Sequence, residues 1–269
     1  MKTSGIIVEY NPFHYGHLYH IEKARELTDC DVLVAVMSGN YCQRGDLSVM
    51  DKFEKTKTAL ENGVDLVIEI PFLKTVQNAY VFGSTAVELL DRIGVDHLVF
   101  GSETNNLEEL KQYAELKIDV TRLHELMREG ASYPKAYGLL AGSLYPNDIL
   151  AVTYLRKLQE TGITPVSIQR SNAYHSLELG SIASARAIRY AAEHGEDYSM
   201  ATPCHLEDPV FLKDLWPFIR NTLIVTPAEE LEKIFLMSEG IENLLKKNAE
   251  TYYDFEEFLH YSVSRRYTR

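Results

Sequence analysis

Two histidines three residues apart, His14 and His17, lie in the run Asn11-Pro12-Phe13-His14-Tyr15-Gly16-His17, between an apolar stretch and an amphipathic one. These residue types at this spacing suit an anion that gains charge during a reaction. A helix beginning here offers free N–H groups and the positive end of its dipole. Gly16 has no side chain to keep a phosphate away from the backbone. Two imidazoles three residues apart can both donate hydrogen bonds to a phosphate as negative charge develops on it. The same residues also suit a helix cap with a partly buried, hydrogen-bonded pair, and spacing alone leaves both readings open. No third ligand stands near the pair, so zinc is not indicated. Gln43-Arg44-Gly45-Asp46 reads equally as a surface turn or as part of a site. Lys52, Lys55 and Lys57 share one helical stretch and read as a solvated face, with Lys52 favoured by its place at the helix start. Tyr133, Tyr137, Tyr145 and Tyr154 read as core or rim, and His97, His124, His194, His205 and His260 as structural.

The apolar pattern predicts the elements that position this loop. Residues 5–10 (GIIVEY), 32–37, 64–70, 97–100 and 165–169 read as strands, β-branched and bounded by turn residues. Helical patterns cover 17–28, 52–62, 78–92, 106–117, 120–129, 147–160 and 183–194. Asp51 is an N-cap, and Asn62-Gly63 and Gly94 are stops. Continuous apolar strands alternating with helices predict a parallel sheet covered on both faces, an α/β class. In such sheets ligands bind at the carboxyl ends of the strands. The polar loops 11–17, 38–46 and 101–104 all leave those ends. From about 200 onward the chain is helical and broken by prolines, which places a domain boundary between 198 and 199.

The 269 residues carry a formal net charge of -12, so non-specific nucleic-acid binding is not the default and any such contact needs a local basic patch. Three widely spaced cysteines, Cys30, Cys42 and Cys204, make no disulfide framework. With no secretory leader and no membrane span legible, a reducing cytoplasm is the expected location.

The strand followed by NPFHYGH resembles the first signature of the HIGH superfamily of nucleotidyltransferases. The resemblance is closer to the bacterial tRNA(Met) cytidine acetate ligases, whose VEYNPFHxGHxxH is matched by Val8 to His20. Their MSGxxxQRG is matched by Met37-Ser38-Gly39 and Gln43-Arg44-Gly45. The segment running to DLVIELP is matched by Lys52, Lys57, Ala59-Leu60 and Asp65 to Pro71. FGSE is matched by Phe100 to Glu103, PNxIL by Pro146 to Leu150, and the later R…YH by Arg170 and Tyr174-His175. The matches are dense over 1–195 and thinner beyond.

The resemblance implies a Rossmann-like nucleotidyltransferase fold in 1–198 and a mainly helical region in 199–269, incomplete relative to the family. It implies ATP as substrate, with Mg²⁺ on the triphosphate and no dedicated protein metal site. Acetate would be activated as acetyl-adenylate and passed to the wobble cytidine of elongator tRNA(Met). The implied ATP contacts are Ile7, Val8, Glu9, Tyr10, Asn11, Pro12, Phe13, His14, Tyr15, Gly16, His17, Leu18, Tyr19 and His20, with Gly101, Asn147 and Arg170. His14 and His17 take the catalytic role at the phosphates. A second superfamily signature, a Ser/Thr-rich helix start with a distal arginine, is matched by Ser184 and Arg189, which join the ATP-binding set. Arg186 stands where a threonine is usual, and it reads equally as a phosphate contact or a surface residue. Arg265, Arg266 and Arg269 stand out against the acidic background and are expected to touch tRNA. Two other readings remain: another HIGH-superfamily adenylyltransferase acting on a small phosphorylated substrate, and a nucleotide-binding module that has lost tRNA transfer.

Overall fold

The second strand shows why the sheet is covered twice. In a computed structural model of the chain, Leu33, Ala35 and Met37 join one buried cluster with Ile6, Val8, Phe13 and Ile21. Val34 and Val36, the residues between them, join the other with Phe82, Val87, Leu90 and Leu155. Side chains alternate across a strand, so an unbroken apolar run serves two cores. The structure describes all residues except 118, 130, 132–135, 137, 141, 143, 171–182, 238–239 and 264–269.

Five strands form the sheet: β1 (Thr3–Val8), β2 (Val32–Ser38), β3 (Leu66–Ile70), β4 (His97–Ser102) and β5 (Thr164–Gln169). Their order is β3-β2-β1-β4-β5, and every pairing is parallel. Order reverses between β1 and β4, and in sheets of this kind the carboxyl ends of the strands at such a switch point are where ligands bind. Gly5 on β1 is required by packing, because a Cβ there would come within 2.5 Å of Leu90 Cδ2.

The connecting helices are α1 (Tyr15–Thr28), α2 (Lys52–Glu61), the single turn α3 (Phe72–Thr75), α4 (Ala79–Ile93), α5 (Leu107–Glu115), α7 (Pro146–Leu158) and α8 (Ala185–His194), with α6 (Val120–Arg128) in the second unit. Asp51 caps α2 by accepting from Phe53 N and Glu54 N, as its residue type predicts. Gly94 ends α4 in the left-handed conformation.

Two expectations are corrected. β1 spans Thr3–Val8 rather than 5–10, because Tyr10 adopts φ 49° and turns the chain out of the sheet. Its apolar ring, 1% exposed, joins the core from the loop. Helix α1 starts at Tyr15 rather than His17, with His14 as its N-cap.

Two compact units emerge: Met1–Lys117 with Leu144–Val210, and Ile118–Ser143 with Phe211–Arg269. This division differs from one at 198/199, since the sheet-bearing unit runs on to Val210. The second unit contains α6, a 3-10 turn (Leu212–Leu215), α9 (Trp216–Val225), α10 (Ala228–Leu231), α11 (Ile241–Thr251) and α12 (Phe255–Ser262). Trp216, Leu223, Leu231, Ala249 and Phe258 form its core. Lys246 donates to the carbonyls of Leu223, Ile224 and Thr226, satisfying orphan acceptors at the end of α9.

Candidate functional site

At the head of α1 the two imidazoles of the NPFHYGH run stack, with ring centroids 3.8 Å apart and planes at 26°. Gly16 N donates to His14 Nδ1 at 3.0 Å, and His14 N donates to His17 Nδ1 at 3.2 Å. Both Nδ1 atoms therefore act as acceptors, so each neutral ring carries its proton on Nε2. Two ready N–H donors result, both held by the start of the helix. Gly16 is required here, because a Cβ would lie 2.8 Å from His14 Cε1. The two sequence readings of the pair are thus compatible: one edge of each ring caps the helix and the other stays available.

Burial keeps these rings neutral. Desolvation is the largest cause of the drop in His14 to about 4, with the nearby positive charges of Arg170 and Arg189 acting in the same direction. His17 is pushed well below its ordinary value by desolvation, then by His14 and Arg170. The ring of His17 is wedged against Tyr10, at 4.7 Å between centroids, and Phe13, at 5.7 Å. His20, a turn further along α1, donates from Nε2 to Val99 O at 3.1 Å and so ties α1 to β4. Desolvation lowers it to about 4 against the opposing effect of that bond.

The loop itself is held from several sides. Asn11 Oδ1 accepts from Val49 N at 2.9 Å, and its Nδ2 donates to Cys42 Sγ at 3.2 Å. Glu9 Oε1 accepts from Gln43 N at 2.6 Å, which couples the loop to the 38–46 segment. Desolvation raises the Glu9 carboxyl, and that bond with Lys55, Arg189 and Arg44 opposes the rise. The Asn11-Pro12 peptide is cis. Arg189 on α8 donates from Nη1 to Asn11 O at 2.6 Å.

Gly101, Asn147 and Arg170 gather at the carboxyl ends of β4 and β5. A Cβ on Gly101 would lie 3.0 Å from Arg170 Cγ, so the arginine stem lies over the bare glycine. Asn147 Nδ2 donates to Glu103 Oε1 at 2.6 Å, and Gln169 Nε2 donates to Glu103 O at 2.8 Å. Asp148, fully buried, accepts from Ser102 Oγ, Glu103 N, Thr104 N and Thr104 Oγ1 and so fixes the turn.

Other expected site residues have different surroundings. Ile7, Val8 and Phe13 pack in the cores, so they have only main-chain groups to offer a ligand. Leu18 packs beside the second cluster, while Tyr15 and Tyr19 are exposed. Pro12 is buried. Ser184 is the N-cap of α8, accepting from Ala187 N at 3.1 Å, and Arg186 is exposed. Tyr174, His175, Arg265, Arg266 and Arg269 lie outside the described residues.

Lys55 corrects the reading of a solvated lysine face. It is 0% exposed and donates to Glu9 O, Ser38 O and Gly39 O at 2.9, 2.9 and 2.6 Å. Sequence reasoning also missed Thr202, whose hydroxyl donates to Phe13 O at 2.6 Å. No signal at the level of sequence marks either residue. Among the described residues, no cluster of three or more His, Cys, Asp or Glu could hold a metal ion. No helix among them is long and apolar enough to cross a membrane.

The arrangement offers an anion two neutral N–H donors, two nearby guanidinium groups and a helix N-terminus at a topological switch point. The HIGH Nucleotidyl Transferase family model matches residues 1–269. Among curated proteins, the tRNA(Met) cytidine acetate ligase of Limosilactobacillus reuteri is 37% identical over 295 residues, covering 100% of this chain and 75% of its own length. That of Listeria monocytogenes serotype 4b (strain CLIP80459) is 38% identical over 299 residues, covering 100% and 76%. The crystal structure of Thermotoga maritima TmcAL bound with alpha-thio ATP superposes with a TM-score of 0.87 at 34% identity, over 100% of this chain and 72% of that one.

Proposed function

We propose an acetate-activating ligase reaction for this chain on one premise: it belongs to the HIGH nucleotidyltransferase family and, within it, to the tRNA(Met) cytidine acetate ligases. A carboxylate oxygen of acetate attacks the α-phosphorus of ATP. The bond from that phosphorus to the bridging oxygen of the β-phosphate breaks, and pyrophosphate leaves. The exocyclic amine of the wobble cytidine in elongator tRNA(Met) then attacks the acetyl carbonyl carbon. AMP leaves with the electron pair, and the amine gives up one proton.

The observation that carries this reading is the stacked His14–His17 pair with both Nδ1 atoms engaged, so that two Nε2–H donors serve the α-phosphate. Neutral donors suit the task, because they stabilise charge that appears in the transition state without binding the ground state as strongly as cations would. ATP lies along the main chain of 7–20 in this reading, with Gly101, Asn147 and Arg170 on the β4–β5 side. Ser184 and Arg189 border the phosphates from α8. Mg²⁺ enters with the triphosphate in this reading, neutralising part of its charge. The relative with alpha-thio ATP supports the nucleotide, and the names of the curated ligases support acetate and tRNA(Met). The reaction belongs in the cytoplasm, where its tRNA is.

Acetate-dependent exchange of labelled pyrophosphate into ATP, without tRNA and against a panel of carboxylates, tests the first step. Exchange that requires acetate is the expected result. Exchange with a different acceptor alone would replace acetate, and ATP binding without any exchange would favour a binding module. For the tRNA step, replacing Arg265, Arg266 and Arg269 together with Ala should lower the log–log salt slope of tRNA binding by about two to three and leave exchange intact. Loss of exchange would instead make those residues structural.

A further inference from the structure

The carbonyl oxygens of Glu9, Asn11 and Phe13, every second one along the loop, each accept a hydrogen bond from a side chain distant in sequence. The donors are Lys55 Nζ at 2.9 Å, Arg189 Nη1 at 2.6 Å and Thr202 Oγ1 at 2.6 Å. We infer that Lys55, Arg189 and Thr202 form a clamp that sets the nucleotide loop, and that Lys55 and Thr202 are thereby positioning residues for adenylyl transfer. This inference rests on the reaction proposed above.

The electrostatic purpose of such a clamp is direct. A carbonyl oxygen is the negative end of its dipole, and a triphosphate nearby would be repelled by it. Each clamp residue holds one of these oxygens on a donor within the protein. Lys55 uses all three protons of its ammonium, on Glu9 O, Ser38 O and Gly39 O, and so joins the carboxyl ends of β1 and β2. An apolar side chain in its place would leave three carbonyls without that donor, and each orphaned polar group costs about 1–3 kcal/mol.

Thr202 reaches the chemistry through a single peptide group. Its hydroxyl accepts from Cys204 N at 3.0 Å, so its proton is directed at Phe13 O. The N–H of that same peptide is His14 N, which donates to His17 Nδ1. One peptide is therefore bonded at both ends, and hydrogen bonds in series polarise one another. Thr202 thus fixes the plane from which His17 receives its hydrogen bond, and with it the Nε2–H tautomer facing the phosphate.

The test uses the full chain with Thr202→Val, Thr202→Ser and Lys55→Met. Thr202→Val keeps the shape and removes the donor. It should lower kcat of acetate-dependent pyrophosphate exchange about tenfold or more, since small misplacements at a reacting centre have effects of this size. The KM for ATP should move less than about threefold, the mark of an interaction that matters mainly in the transition state. The nitrogen-15 resonance of His17 Nδ1 should shift toward that of an unbonded imidazole nitrogen. Thr202→Ser should restore both. Lys55→Met should lower kcat further, and if it fails to fold, Thr202→Val decides alone. A wild-type rate in Thr202→Val overturns the positioning role, whether or not the resonance moves. If the wild type exchanges nothing while Thr202→Val still moves the His17 resonance, the reaction is wrong and the clamp stands. If the resonance also stays put, the clamp fails with it.

Discussion

His17 combines three constraints in one side chain: an Nδ1 that accepts from His14 N, a ring wedged between Tyr10 and Phe13, and burial that keeps it uncharged. Replacing it with Ala should lower acetate-dependent exchange by about 10²-fold or more, the scale for removing one transition-state donor. An unchanged rate would remove His17 from the mechanism. The depressed imidazoles also set a pH dependence of stability. The unfolded chain takes up protons on these rings below about pH 6.5, whereas the fold holds His14 and His20 neutral down to about 4. Their contribution is therefore fully present above pH 6.5 and is lost as pH falls toward 4. Urea midpoints should drop across that window, and less so in His20→Gln. Midpoints that stay flat from pH 7 to 4.5 would contradict the burial of these rings. Over the same range above about pH 5, the exchange rate should show no histidine-type ionisation.

At the scale of elements, the turn after β4 shows how one buried carboxylate organises a segment. Asp148, at the start of α7, accepts four hydrogen bonds from Ser102, Glu103 and Thr104. Asp148→Ala should destabilise the protein by about 2–4 kcal/mol, because it orphans several buried donors at once. A shift in denaturation midpoint equivalent to less than about 0.5 kcal/mol would mean that water replaces the carboxylate without loss. Most elements were legible in the sequence, since strands buried on both faces and capped helices leave local patterns. Asp51 and Gly94 lie where their residue types place them. β1 lies two residues earlier than the apolar run suggests, because Tyr10 is apolar and its left-handed φ is a property of the folded loop. The His pair was readable as a candidate from spacing, but its tautomers were not, for they depend on which amides meet Nδ1. Lys55 was unreadable: its burial depends on carbonyls up to 46 residues away.

The molecule divides into two compact units, one built on the sheet and one on Trp216, Leu223, Leu231, Ala249 and Phe258. Composition announced a helical second part, because prolines break the chain repeatedly after 200. It did not announce that the sheet-bearing unit extends to Val210, since that depends on contacts between segments far apart in sequence, the bond from Thr202 to Phe13 among them.

That contact spans 189 residues of sequence, and the bond from Arg189 to Asn11 spans 178. Contacts so distant close large loops and form late, after the local helices and neighbouring strands. The loop that carries the histidine pair is therefore expected to be among the last parts of the unit to take its working shape. In refolding, the far-UV signal of the sheet and helices should return before capture of a fluorescent ATP analogue. Simultaneous recovery of the two signals would mean that the loop is already set without its distant holders.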